Sequence, residues 1–162
     1  MSAAIFLLGA VIPLSDSADA TFVGENFADY AGRSVAIVGD VNSDGYDDFL
    51  IGASNASYDG RRSGVAYLLL GRPDASWETD FELSNADASF VGESASDYVG
   101  QCVSRAGDVN GDGYDDFLIG ADHYDTSTVL TETGKVYLIL GRGAADWGTG
   151  FNLAGADASF VG

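Results

Sequence analysis

The sequence predicts an all-β chain assembled from repeated four-stranded units. Three observations predict it. The segment DVNSDGYDDFLIGA (Asp40 to Ala53) returns as DVNGDGYDDFLIGA (Asp108 to Ala121), 68 positions later. Short apolar runs ended by Gly recur at matching places in each copy, as strands between turns do. No segment sustains a helical period of apolar residues.

The repeat is visible along nearly the whole chain. From Gly24 to Ala53 and from Gly92 to Ala121, 20 of 30 positions are identical with no gap. Val65 to Leu70 matches Lys135 to Leu140, Trp77 matches Trp147, Phe81 matches Phe151, and Phe90-Val91-Gly92 matches Phe160-Val161-Gly162. Each unit offers four strands. Strand A is Ser34 to Val38 or Cys102 to Ala106, and strand B is Asp48 to Ala53 or Asp116 to Ala121. Strand C is Val65 to Leu70 or Lys135 to Leu140, and strand D lies near Ala88 to Val91 or Ala158 to Val161. Strands B and C are apolar on both faces, as strands sandwiched between neighbouring sheets are. The N-terminus fits the same scheme: Ala4 to Gly9 reads as a strand C and Ala18 to Gly24 as a strand D. The expected order is therefore a partial blade (1–24), a first full blade (25–92) and a second full blade (93–162). A signal peptide with an apolar stretch to Leu14 is the rival reading of the start, but it lacks a basic leading segment.

Repeats of this length indicate solenoids, propellers or arrays, and the period suits a four-stranded blade. Propellers typically close with about four to eight blades. Two and a half blades do not close, so the expected partners are other blades, from a longer chain or from further copies.

The repeated loop has a chemistry of its own. Counted from Asp40, side-chain oxygens fall at positions 1, 3, 5 and 9: Asp40, Asn42, Asp44 and Asp48. The second copy offers Asp108, Asn110, Asp112 and Asp116. Position 7, Tyr46 or Tyr114, can add a backbone carbonyl. All donors are hard oxygens, which favours Ca²⁺ over zinc or copper. Gly45 and Gly113 follow the third donor, where the chain must turn sharply. The first half matches an EF-hand loop, but Ile51 and Ile119 stand where an EF-hand places its bidentate Glu, and an apolar strand follows instead of a helix. The expectation is two calcium loops, each joining strand A to strand B. The rival reading is a metal-free acidic turn.

These residues resemble the FG-GAP repeats of integrin α-subunit β-propellers and their bacterial relatives. The carrying residues are Tyr98-Val99-Gly100, Gly107 to Ala121, and Gly134 to Leu138, with Asp29 to Gly32, the loop to Ala53, and Gly64 to Leu68 in the first repeat. The name-giving Phe-Gly appears as Tyr-x-Gly, and Gly-Ala-Pro appears as Gly-Ala-Ser and Gly-Ala-Asp. The resemblance implies one four-stranded blade per repeat, with Ca²⁺ bound between its first two strands. It also implies an adhesion or interaction module whose partners bind loops on one propeller face: Glu25 to Ala31 and Glu93 to Val99, or Ser54 to Ser63 and Asp122 to Thr133.

Composition narrows the function classes. The formal charge is −18, from 25 acidic and 7 basic residues. This argues against nucleic acid and anionic membrane surfaces as partners. No run of about 20 apolar residues is present to span a bilayer. Cys102 is the single cysteine, so no intrachain disulfide forms. A disulfide-free repeat rich in Asp, Gly and Ala reads as an extracellular or cell-surface protein, bacterial in type, stabilised by calcium.

Nothing in the chain reads as catalytic machinery. His123 is the single histidine, in the loop Asp122-His123-Tyr124-Asp125, and no Gly-x-Ser-x-Gly motif accompanies it. Trp77 and Trp147 are read as packing plugs rather than sugar platforms, and Tyr30 and Tyr98 as packing residues. The expectation is a non-enzymatic module binding an extracellular protein or glycan. The alternatives are an accessory domain of a secreted glycan- or lipid-active enzyme and an architectural repeat of a surface assembly.

Overall fold

The computed structural model describes residues 4–7, 10–13, 18–58, 61–73, 77, 79–125, 133–143 and 147–162. Parts of the long loop after strand B in the second unit, and of both segments around the tryptophans, lie outside these residues, as do Leu8, Gly9 and Leu14.

Short apolar runs separated by turn residues form short strands, numbered here in chain order. β1 is Ala4–Leu7, β2 Ala10–Pro13 and β3 Phe22–Val23. The first unit contains β4 (Ala31–Gly39), β5 (Asp48–Ala53), β6 (Val65–Leu69), β7 (Phe81–Glu82) and β8 (Ala88–Val91). The second contains β9 (Cys102–Gly107), β10 (Asp116–Ala121), β11 (Lys135–Ile139), β12 (Phe151–Asn152) and β13 (Ala158–Val161). Strands A to D of the first unit, β4-β5-β6-β8, form one antiparallel sheet. Those of the second, β9-β10-β11-β13, form another. The chain is all-β and built as propeller blades, as the repeat pattern predicts.

Strands B and D fall where the apolar runs place them. β4 starts earlier than expected, at Ala31, because Ala31 pairs with Ala53 before the register shifts to Ser34 opposite Gly52. The small strands β7 and β12 were not expected. β12 pairs in parallel with β8 of the preceding unit, Phe151 opposite Phe90, and β7 pairs in the same way with β3, Phe81 opposite Phe22. Residues 22–23 thus stand to the first blade as strand D of the first blade stands to the second. β1 and β2 pair with each other as a hairpin.

Packing obeys a period of two. In β5 and β6, Leu50, Ala66 and Leu68 face the second unit, where they meet Val103, Phe117, Ile119, Tyr137 and Ile139. The intervening Ile51, Val65, Tyr67 and Leu69 face the other way, onto Leu83, Phe22, Trp77 and Phe81. The same aromatic set recurs one unit later: Phe22, Phe49, Trp77 and Phe81 meet edge to face, and so do Phe90, Phe117, Trp147 and Phe151. Each tryptophan is therefore a plug between strand B of its own unit and strand D of the unit before. Edge-to-face geometry contributes about 0.5–1.5 kcal/mol per pair beyond area burial.

Candidate functional site

The two acidic loops connect β4 to β5 and β9 to β10. Both fold by the same local rule, in which Asp and Asn oxygens accept from amides two to five residues further on. Asp40 accepts from the N–H groups of Asp44 (3.0 Å) and Gly45 (2.8 Å). Asp108 accepts from Gly111 (2.7 Å), Asp112 (3.1 Å) and Gly113 (3.0 Å). Asn42 and Asn110 accept from the amides of Asp44 and Asp112. Asp44 and Asp112 accept in turn from the amides of Tyr46 and Tyr114, and from the Asn42 and Asn110 side-chain amides. Gly45 and Gly113 both take φ +92°, the left-handed turn that the sequence requires there.

Asp48 and Asp116, at the ninth position, behave differently. Both are fully buried. Asp48 accepts from Val41 N–H at 2.8 Å and Gly71 N–H at 2.7 Å. Asp116 accepts from Val109 N–H at 2.8 Å and Gly141 N–H at 2.7 Å. Each thus ties the base of its loop to the end of strand C. Burial pushes the Asp48 carboxyl up to about 6, opposed by its two amide donors and reinforced by the Asp44 and Asp40 charges. The Asp108 carboxyl is held below the ordinary range by the amides that point at it, that of Gly113 foremost.

Asp40, Asn42, Asp44 and Tyr46 lie in the first loop and Asp108, Asn110, Asp112 and Tyr114 in the second, with Asp48 and Asp116 as the first residues of β5 and β10. The carboxylates of Asp40, Asp44, Asp108 and Asp112 are turned onto the loops' own amides. Among the described residues, no three Asp, Glu, His or Cys side chains converge in a metal-binding arrangement. The donor set itself, carboxylate and amide oxygens without sulfur or imidazole, is of the kind a hard cation takes.

The loops that enter strand A form a second repeated feature. Ala28 and Tyr30 in one unit, Ser96 and Tyr98 in the other, adopt left-handed φ between 55° and 69°. Such backbone costs about 1–3 kcal/mol per residue and persists only when its surroundings enforce it. Here Asp29 accepts from Asn26 N–H and Asp97 from Ser94 N–H. Glu25 accepts from the Tyr67 hydroxyl, and Glu93 from the Tyr137 hydroxyl and Lys135. Tyr30 is exposed, whereas Tyr98 packs edge-on against His123, with ring centroids 4.8 Å apart. His123 Nδ1 lies 3.0 Å from Asp122 Oδ1.

Comparison with known proteins gives this arrangement its relatives. The family model described as FG-GAP repeat matches residues 31–69 and 104–139. The chain is similar to integrin alpha-PS3 of Drosophila melanogaster, 32% identical over 117 residues, covering 70% of this chain and 10% of that protein. It is also similar to integrin alpha-6 of Homo sapiens, 31% identical over 115 residues, covering 70% of this chain and 10% of that protein. Integrin alpha pat-2 of Caenorhabditis briggsae is 30% identical over 129 residues, again with 10% of its length covered. The chain thus spans about a tenth of the length of these relatives. Among the described residues, no helix is long and apolar enough to cross a membrane.

Proposed function

Starting from a chain that carries FG-GAP repeats, as integrin alpha subunits do, we propose that it is a non-enzymatic, calcium-binding propeller segment of an extracellular adhesion or interaction protein. One observation carries the calcium reading: two loops repeat the same oxygen donors at the same spacing and fold with the same hydrogen bonds. Asp40, Asn42, Asp44 and Asp48 would hold one ion with the Tyr46 carbonyl, and Asp108, Asn110, Asp112 and Asp116 the other with the Tyr114 carbonyl. Bound Ca²⁺ supplies positive charge to a loop that otherwise gathers like charges, so its binding energy adds to folding. The formal charge of −18 would fall to −14 with two ions (−18 + 4).

The partner surface is read from the repeated, left-handed loops before strand A, which display Phe27 and Tyr30 to solvent in the first unit. An extracellular protein or glycan is the ligand class this supports. The outer face of the second blade is a different surface, an apolar groove lined by Cys102, Gly120, Val136 and Phe160. The matching Phe90 and Ala66 of the first blade are sealed by the second blade, so a further blade is its natural cover.

A thermal melt with millimolar Ca²⁺, against EDTA, tests the proposal, with molar mass determined alongside. A rise of several degrees that is lost in Asp44→Ala and Asp112→Ala supports it. An identical melting temperature in both buffers would reduce the loops to acidic turns.

A further inference from the structure

Asp47 and Asp115, at the eighth loop position, are not among the proposed oxygen donors, yet among the described residues Asp115 makes a set of contacts that its twin does not share. It reaches out of its own loop into the first. Asp40 N–H donates to Asp115 Oδ2 at 3.1 Å, and Asp115 N–H donates to the Asp40 carbonyl at 3.0 Å. Asp40 is the first oxygen donor of loop one; Asp115 adjoins Asp116, the last donor of loop two. Arg142 N–H adds a third bond, to the Val41 carbonyl at 2.9 Å. The Asp115 carboxylate is itself fixed, with Arg105 Nη2 2.9 Å from both of its oxygens. Gly39 makes the approach possible: it sits at φ +87°, and a Cβ there would collide with Asp115 Oδ2. The twin residue Asp47 is exposed, and Ile37 stands in its unit where Arg105 stands in the second.

We infer that Asp115 is a positioning residue that couples the two loops, so that calcium at one changes the affinity of the other. Asp40 is clasped at both its N–H and its carbonyl by a residue of the neighbouring loop. That clasp fixes the backbone from which its carboxylate projects, while the carboxylate itself accepts from the Asp44 and Gly45 amides of loop one. A donor held in place beforehand loses less freedom when an ion binds, and that gain is affinity. Coupling of this kind is reciprocal by thermodynamic linkage: the factor by which one ion changes the affinity of the other is returned in full. The inference rests on the calcium reading above.

The test is isothermal calorimetry of the full chain with CaCl₂ as the probe. Asp112→Ala disables loop two and leaves loop one to be measured alone. Adding Asp115→Ala to that background is expected to weaken loop one by about fivefold or more, within the usual range of allosteric coupling, although Asp115 belongs to the other loop. Asp115→Asn, which keeps one acceptor for the Asp40 N–H, is expected to recover part of the loss. The otherwise unmodified chain should bind two ions with positive cooperativity, and Asp115→Ala should abolish it. Should Asp115→Ala not fold by circular dichroism, exposed Arg105→Ala decides instead: weaker binding at loop one supports the coupling, and unchanged binding overturns it. Loop-one affinity that stays within about twofold in Asp115→Ala overturns the coupling while calcium binding itself stands. Absence of calcium uptake by the unmodified chain overturns both.

Discussion

Phe90 and Phe160 occupy the same place in two copies of one unit, yet they live in different solvents. Phe90 is fully buried and Phe160 is 62% exposed. Their neighbours divide in the same way: Ala66 and Val91 are buried, while Val136 and Val161 are exposed. Local sequence does not make the difference, since both units read Ala-Ser-Phe-Val in strand D. The difference is what lies on top: the second unit covers the first, and nothing described covers the second. A residue's contribution in such an array belongs to the joint between units as much as to the unit.

The largest expected effect tests that contrast directly. Phe90→Ala should lower stability in urea denaturation by about 3–5 kcal/mol, as truncation of a buried aromatic does. Phe160→Ala should cost less than about 1 kcal/mol, because little surface is removed from burial. Equal costs would break the comparison and mean that Phe160 is covered in solution.

Next in size is Asp48→Ala, which strands the Val41 and Gly71 amides, and its twin Asp116→Ala, which strands those of Val109 and Gly141. Each unsatisfied buried amide costs about 1–3 kcal/mol, so losses of at least about 2 kcal/mol are expected from both, even in EDTA. A loss confined to calcium buffer would show that these carboxylates serve only the metal.

A smaller effect sharpens the contrast where the units diverge in sequence. Glu93 holds both Tyr137 and Lys135, but Val65 replaces the lysine in the first unit and leaves Glu25 with Tyr67. Glu93→Gln should therefore cost about 1 kcal/mol, and Glu25→Gln about half of that, by chemical denaturation. The reverse order would show that the lysine is dispensable.

The smallest effect concerns pH. Burial, reinforced by the Glu93 and Asp125 charges, raises the Asp97 carboxyl above its ordinary 3.8. The folded chain then holds that proton more tightly than the unfolded one, so the contribution of Asp97 is full below pH 3.8 and is lost as pH rises through the raised value. Asp97→Asn should flatten that part of the denaturation midpoint against pH. A profile parallel to that of the unmodified chain would contradict the burial of the charge.

Much of this was legible in the residues. Strand B was readable to the residue and the place of strand D along the chain was readable, because Asp-Phe-Leu-Ile-Gly-Ala and Ala-Ser-Phe-Val recur. The aromatic plugs were readable because Trp77 and Trp147 repeat with their phenylalanines. β7 and β12 were not, since two residues of mixed polarity carry no period and their partner strand lies one unit back. The acidic loops were legible as loops and as oxygen donors. That Asp48 and Asp116 hold the end of strand C, and that Asp115 grips Asp40, depends on amides far away in sequence, which local spacing does not encode.

The parallel pairing of β12 with β8 has a consequence for how such chains change over generations. Each of the two units carries a two-residue strand that pairs with the last strand before it, β7 with β3 and β12 with β8, and the last strand of the first unit accepts that of the second. Both halves of the joint travel inside one stretch of coding sequence. In-frame duplication or loss of such a stretch therefore rebuilds a matching joint with no compensating substitution, and the number of units can drift while the architecture of each stays constant.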